Sequence, residues 1–198
     1  MWNERYSKPG YLFGIEPARF LQEHSAHLTA GARVLAVADG EGRNSVYMAS
    51  LGLDVAAMDS SHIAIEKARA LAMVQGVDVA FHEADIAKWD WAEGRYDLVV
   101  AVFIQFVGPT QRDAIFKGMM RTLKPGGVLM LHGYTPEQIA LGTGGPPQAE
   151  NMYTVEMLKT AFADFEILEL NAYERVVDEG EGHSGRSALV DLIARKPA

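Results

Sequence analysis

The run Val34-Leu35-Ala36-Val37-Ala38-Asp39-Gly40-Glu41-Gly42-Arg43-Asn44 carries an apolar strand into small residues and then into a helix. Small side chains let the backbone approach a ligand closely. Gly40 and Gly42 can take positive φ, and the first amides of the next helix face the same point at the carboxyl edge of a sheet. No Lys-Ser or Lys-Thr follows, which rules out a P-loop. The same two glycines also suit plain packing of helix on strand. Asp59 lies 17 residues beyond Gly42 and closes a second strand, where a carboxylate can accept hydrogen bonds from both hydroxyls of a ribose. Its other reading is an N-cap for the following helix, a task open equally to Ser60 and Ser61. Asp85, after a third strand, offers an acceptor to an exocyclic adenine amine, with Ile86 as an apolar wall beside the ring. A solvated loop acid would read the same way. Together the three strand ends describe a nucleoside site.

These residues need a βαβ frame to hold them. Arg33 to Val37 reads as a first strand, Arg43 to Leu51 as a helix and Asp54 to Met58 as a second strand after the turn at Gly52. A helix over Ser61 to Gln75 follows, with Ile63, Lys67 and Leu71 at four-residue steps and Gly76 as its stop. Val77 to His82 and Tyr96 to Phe103 read as the third and fourth strands, and Thr110 to Leu123 as a helix with Ile115, Met119 and Leu123 on one face. Lys124-Pro125-Gly126-Gly127 then turns the chain into a fifth strand, Val128 to His132. Beyond it the alternation stops. Thr154 to Phe162 is a short helix, and the β-rich stretches Phe165 to Val177 and Ser187 to Lys196 have no helix between them, which predicts an antiparallel hairpin. Its connection, Asp178 to Arg186, holds three glycines and reads as a mobile loop or a lid. Thr135 to Met152, rich in Gly and Pro, reads as a surface loop or a cover over a site.

Composition narrows the classes of function. The chain has 198 residues, 48% of them apolar, and 18 basic against 26 acidic residues give a formal charge of −8. That is enough chain for one hydrophobic core without a disulfide or metal staple. The absence of Cys excludes disulfides, thiolate metal sites and cysteine nucleophiles. The acidic balance argues against nucleic acid and anionic membrane as partners and favours small molecules. Met1 to Gly14 lacks the basic and apolar runs of a signal peptide, and the longest apolar run, Leu98 to Ile104, is the length of a buried strand rather than of a membrane span. A cytoplasmic protein is expected.

The glycine loop (Ala38 to Gly42), Asp59, Ala84-Asp85-Ile86, the strand Tyr96-Asp97-Leu98-Val99 and Leu123-Lys124-Pro125-Gly126-Gly127 stand in the order of a known family. The chain resembles class I S-adenosylmethionine-dependent methyltransferases over roughly residues 30 to 135. Its opening, Arg5-Tyr6 through Gly14-Ile15-Glu16-Pro17, is similar to the small bacterial branch of tellurite-resistance methyltransferases. The resemblance implies an α/β, Rossmann-like methyltransferase fold, with a seven-stranded, mostly parallel sheet, a C-terminal antiparallel hairpin and helices on both faces. It implies one domain over 1–198, with an N-terminal flap and helix (1–30), a cofactor-binding core (31–135) and an acceptor cover with the hairpin (136–198). It implies S-adenosylmethionine as cofactor, S-adenosylhomocysteine as product and no metal. The binding set carried over is Ala38, Asp39, Gly40, Gly42 and Asn44 in the loop, Asp59 and Ser60, Asp85 and Ile86, and Val102 and Phe103 after the fourth strand. Phe103 and Phe106 could also face the sulfonium. The family's usual acid and first glycine are here Ala36 and Ala38, which leaves Asp39 or Glu41 to answer the ligand's ammonium.

On the acceptor side the expected catalytic residues are His132, as a general base or a cap on the sheet edge, with His183 and Arg186 from the hairpin connection. Arg186 suits an oxyanion such as a chalcogen oxide. Gln105, Tyr134 and Tyr153 are further candidates, and Tyr6, Tyr11 and Phe13 have the composition of a flap over the cofactor. The reading is methyl transfer to a small acceptor, a soft nucleophile such as a thiol or a tellurium or selenium oxyanion. Two others compete. Gly40-x-Gly42-x-x-Ser45 with Asp59 comes one glycine short of a nicotinamide-dinucleotide fingerprint, and the altered Ala36 and Ala38 suit a nucleoside-binding module without catalysis.

Overall fold

The computed structural model describes residues 2–180 and 182–198. Met1 and Glu181, which fall within the expected opening and hairpin connection, lie outside the described residues. The chain divides into two compact units, Met1–Asp90 with Glu179–Gly182, and Trp91–Asp178 with His183–Ala198. No described helix is long and apolar enough to cross a membrane.

The first unit contains α1 (Trp2–Tyr6), α2 (Arg19–Glu23), β1 (Arg33–Val37), α3 (Arg43–Ser50), β2 (Asp54–Asp59), α4 (His62–Gln75) and β3 (Ala80–Glu83). β1 and β2 pair in parallel from Arg33↔Asp54 to Val37↔Met58, and β3 adds in parallel from Ala80↔Ala56. Val34 to Val37 and Val55 to Met58 are buried, as strands covered on both faces must be. Ser61, not Ser60, caps α4, its hydroxyl accepting from the Ala64 N–H at 3.2 Å. At the other end the Val77 N–H bonds to the Ala72 carbonyl and the Gly76 N–H to that of Met73, with Gly76 at φ 66°. This closure takes Val77 into the helix end, so β3 begins at Ala80 and not at the expected Val77.

The second unit contains β4 (Tyr96–Val102), α5 (Pro109–Thr122), β5 (Leu123–Tyr134), α6 (Gln138–Leu141), α7 (Val155–Ala161), β6 (Glu166–Asp178) and β7 (Ser184–Arg195). β4 and β5 pair in parallel, but the register passes from Tyr96↔Leu123 to Leu98↔Val128. The Lys-Pro-Gly-Gly turn is thus an excursion inside a longer strand. Lys196 Nζ holds it by donating to the carbonyls of Met120, Arg121 and Leu123, the groups that the end of α5 leaves without helical partners. Pro109 opens α5, one residue before the expected start, where its missing N–H is harmless. The hairpin is antiparallel as expected and longer. Asp178↔Ser184, Val177↔Gly185 and Val176↔Arg186 are paired, which shortens the connection to 179–183. β7 lies between β5 and β6, and from Ser187 to Ala194 it is buried throughout, whereas β6 exposes charged residues such as Glu166 and Glu174.

The seven strands form one mixed sheet in the order β3-β2-β1-β4-β5-β7-β6.

Candidate active site

In the first unit the chemistry gathers where β1 ends. Ala38 stands at φ 47°, Gly40 at 60° and Gly42 at 88°. A side chain at Gly42 would come within 2.6 Å of the Ala68 Cβ, so α4 can approach the loop only because this residue has none. Ala38 holds the left-handed backbone that the missing glycine would adopt freely, at a strain of about 1 to 2 kcal/mol. The loop is tied to β2 through Asp59. Its Oδ2 accepts from the Gly40 N–H at 2.9 Å and its Oδ1 from the Ser61 N–H at 2.8 Å. Burial still raises its pKa above the usual carboxylate value. The buried Tyr6 lies over the loop, its hydroxyl 2.8 Å from where a Gly40 Cβ would stand. Burial, with Asp59 and Glu41 nearby, pushes that phenol upward.

The two candidate acids of the loop differ sharply. Glu41 is only 4% exposed; its Oε2 accepts from the Leu12 N–H at 2.7 Å and its Oε1 meets Lys67 Nζ at 2.8 Å. Lys67 also donates to the carbonyls of Lys8 and Gly10, and the Tyr11 hydroxyl donates to the Lys67 carbonyl. Glu41 therefore fastens residues 8–12 to the loop. Asp39 is different. Its carboxyl faces the Ser45 hydroxyl and backbone N–H, while Oδ2 is buried with no hydrogen-bond partner among the described residues. Burial, reinforced by Asp59, pushes its pKa up to about 7.

The remaining expected residues of this unit take several places. The Asn44 Oδ1 accepts from the Ala18 N–H at 2.9 Å, anchoring the entry to α2. Ser60 is exposed. Asp85 accepts from the Ala87 N–H at 2.9 Å and is half exposed, beside a buried Ile86. Phe13 packs edge-on against Tyr6. The hairpin connection also joins this unit. Glu179 pairs with Arg43 at 2.7 Å, both nearly buried, and the Gly182 N–H donates to the Leu12 carbonyl.

In the second unit the corresponding position is the end of β4. Phe103 has φ 56°, a conformation rare for an aromatic residue, and its N–H donates to the His132 carbonyl at 2.8 Å. Around its ring lie His132 edge-on at 4.7 Å, Tyr134 at 4.6 Å and His183 stacked at 4.1 Å between centroids. His132 Nδ1 lies 2.6 Å from Asp191 Oδ1, with both side chains buried, and the Tyr134 hydroxyl meets His183 Nδ1 at 2.5 Å. The structure thus joins two expected catalytic residues, His132 and His183, through Phe103. It does not bring Arg186 to them through any of these contacts, since that side chain pairs at 2.7 Å with Glu174 on the exposed face of the hairpin. Gln105 is a backbone pin: its Oε1 accepts from the Tyr134 N–H and its Nε2 donates to the Tyr134 carbonyl. Tyr153 is buried against Phe116, its pKa raised by that burial, and belongs to the core. Val102 is half buried and Phe106 exposed. Asp191 was missed. Its signal is a lone acid in the apolar run Leu189-Val190-Asp191-Leu192-Ile193, a residue type that is rarely buried unless paired.

Residues 34–127 match the family model described as "Methyltransferase domain". This stretch is similar to a methyltransferase domain. The matched stretch includes the glycine loop, Asp59, Asp85 and Phe103, but not His132, His183 or Asp191. A carboxy-S-adenosyl-L-methionine synthase from Aeromonas salmonicida is 35% identical over 133 residues, which are 63% of this chain and 52% of that protein. The chain spans about half the length of the curated relatives it matches. Among solved structures, a protein from work on the conversion of a disulfide bond into a thioacetal group during echinomycin biosynthesis superposes with a TM-score of 0.78. It is 20% identical, over 98% of this chain and 88% of its own. TehB from Haemophilus influenzae gives 0.71 at 23% identity, over 88% of this chain and 60% of its own. At these identities the two structures show that the fold is shared.

Proposed function

We propose that the protein is an S-adenosylmethionine-dependent methyltransferase acting on a small-molecule soft nucleophile, a thiol or a tellurium or selenium oxyanion. The observation that carries the reading is the loop of the matched stretch. Ala38, Gly40 and Gly42 stand at positive φ, Gly40 is bonded to the acid that ends β2, and one buried carboxylate oxygen between them, Asp39 Oδ2, has no hydrogen-bond partner among the described residues. A buried carboxylate oxygen in want of a donor fits a cofactor that carries an ammonium group.

In this reading Asp39 takes the ammonium, because Glu41 is already held by Leu12 and Lys67. Asp59 faces the ribose with the acceptor capacity that its backbone bonds leave over, since a carboxylate has about four acceptor sites. Asp85 and Ile86 receive the adenine, and the Val102 carbonyl and Phe103 ring serve the methionine end and the sulfonium. Ser60 and Asn44 shape the loop's surroundings. When bound, the cofactor supplies a methyl group on sulfonium with a good leaving group. The protein's part is to hold the acceptor in line at about 3 Å and to keep water out.

Titration calorimetry with S-adenosylmethionine, S-adenosylhomocysteine and NAD tests this directly. Binding of both sulfur nucleosides with NAD silent is expected. Binding of NAD alone would overturn the reading in favour of hydride transfer. Nucleoside binding with no S-adenosylhomocysteine release against any acceptor would favour a binding module.

A further inference from the structure

We propose that His132, held by Asp191, is the general base of the transfer, and that the acceptor therefore carries a proton on its attacking atom. The inference rests on the methyltransferase reading and narrows its acceptor. Asp191 on β7 stands directly across from His132 on β5, and the two side chains meet at 2.6 Å with each residue only 3% exposed. An ionised carboxylate can only accept, so Nδ1 carries the proton of that bond and the ring's lone pair lies on Nε2. A carboxylate that fixes the tautomer and offsets the positive charge formed on protonation is the arrangement that makes an imidazole a base. Across Phe103 the other histidine, His183, has its Nδ1 engaged by the Tyr134 hydroxyl.

The same surroundings disfavour an oxyanion. Arg186, the cation expected to hold an oxyanion, is instead turned to Glu174. An anionic acceptor at Nε2 would face the negative potential of Asp191 across the ring. A neutral thiol meets a base. In the step, a lone pair of the acceptor sulfur forms the new S–C bond and the methyl–sulfonium bond breaks with its electron pair going to the departing thioether. The acceptor's S–H proton passes to Nε2 of His132 and leaves to solvent after the product. His132 is then a catalytic residue and Asp191 a positioning residue.

The test uses two thiols of different acidity, 2-mercaptoethanol, which is protonated at neutral pH, and 4-nitrothiophenol, which is ionised. Transfer is followed by S-adenosylhomocysteine release for the wild type, His132→Gln and Asp191→Asn, with S-adenosylmethionine affinity and melting temperature measured on each. Both variants are expected to bind the cofactor within about twofold and to lose about 10²-fold in kcat toward 2-mercaptoethanol at pH 7. Both should keep 4-nitrothiophenol transfer within about threefold, and the loss toward 2-mercaptoethanol should shrink as pH rises and the free thiolate takes over. A merely structural pair would depress both thiols alike at every pH. An equal loss on both thiols, no loss on either, or methylation of selenite alone would overturn the base role while leaving cofactor binding intact. Failure of the wild type to bind S-adenosylmethionine would overturn the methyltransferase reading itself and the base role with it.

Discussion

Replacing Asp39 by Asn separates the stability of the loop from its use. The carboxyl sits at about 7 in the folded protein against 3.8 for an ordinary aspartate, chiefly because burial disfavours its charge. Between these two values the folded state holds a proton that the unfolded chain has released, so the group's contribution to stability falls as pH rises and levels off above pH 7. From pH 5 to pH 7 that is two pH units at about 1.4 kcal/mol each, or about 3 kcal/mol. Asn is neutral throughout. Asp39→Asn, compared with wild type in the ligand-free state, should therefore gain about 2 to 3 kcal/mol more at pH 8 than at pH 5, which for a chain of this size is about 4 to 12 °C in melting temperature. Urea denaturation of both proteins at the two pH values gives the difference directly. Binding should move the other way. If the ionised carboxyl receives the ammonium, S-adenosylmethionine affinity in the wild type should fall about tenfold from pH 8 to pH 6, and in the variant it should be weak and flat with pH. A stability difference between wild type and variant that is the same at pH 5 and pH 8 would refute the burial argument. A pH-dependent affinity that survives in the variant would remove Asp39 from the ligand.

Asp59→Ala should weaken S-adenosylmethionine binding by about 1 to 3 kcal/mol, since it removes the acceptor for the ribose and frees the Gly40 and Ser61 amides. Calorimetry showing unchanged affinity would end the ribose assignment. Gly42→Ala should destabilise the protein by about 2 to 5 kcal/mol in chemical denaturation, combining left-handed strain with a Cβ driven into Ala68. A loss below about 1 kcal/mol would mean that the loop and α4 can part without penalty. Lys67→Met leaves the buried Glu41 carboxylate without its cation and should lower stability by about 3 kcal/mol. It should also expose residues 8–14 to limited proteolysis, and a cleavage pattern like that of the wild type would contradict the clamp.

The parallel part of the fold was legible because buried parallel strands announce themselves as continuous apolar runs and the helices between them carry their own stops. Where a boundary moved, a hydrogen bond invisible to periodicity had moved it. Val77 looks like strand and serves as the closing residue of α4; Lys124 to Gly127 look like a full stop and are an excursion held by Lys196 from the far end of the chain. The hairpin connection looked long because glycines suggest loops, yet Gly185 pairs with Val177 inside the ladder. The candidate site was legible in its residues and not in their partners. Asp39 and Glu41 are equivalent as letters, and only the position of Lys67 and of the Leu12 amide distinguishes them. His132 could be singled out by its place at a strand end, but Asp191 lies 59 residues away on a strand whose register the sequence leaves open.

The ion pair between Arg43 and Glu179 sets an order of events during synthesis. Arg43 opens the helix after the glycine loop, and its partner lies 136 residues downstream. While the ribosome is still making the intervening strands, the guanidinium has water for company and little reason to settle into a buried position, because a desolvated charge without its counter-ion is strongly unfavourable. Arg43 can take its paired, buried position only when Glu179, at the tip of the β6–β7 hairpin, has emerged. A segment made 136 residues earlier thus waits on Glu179 for its paired state, and a ribosome stalled before residue 179 should carry a loop that remains open to solvent.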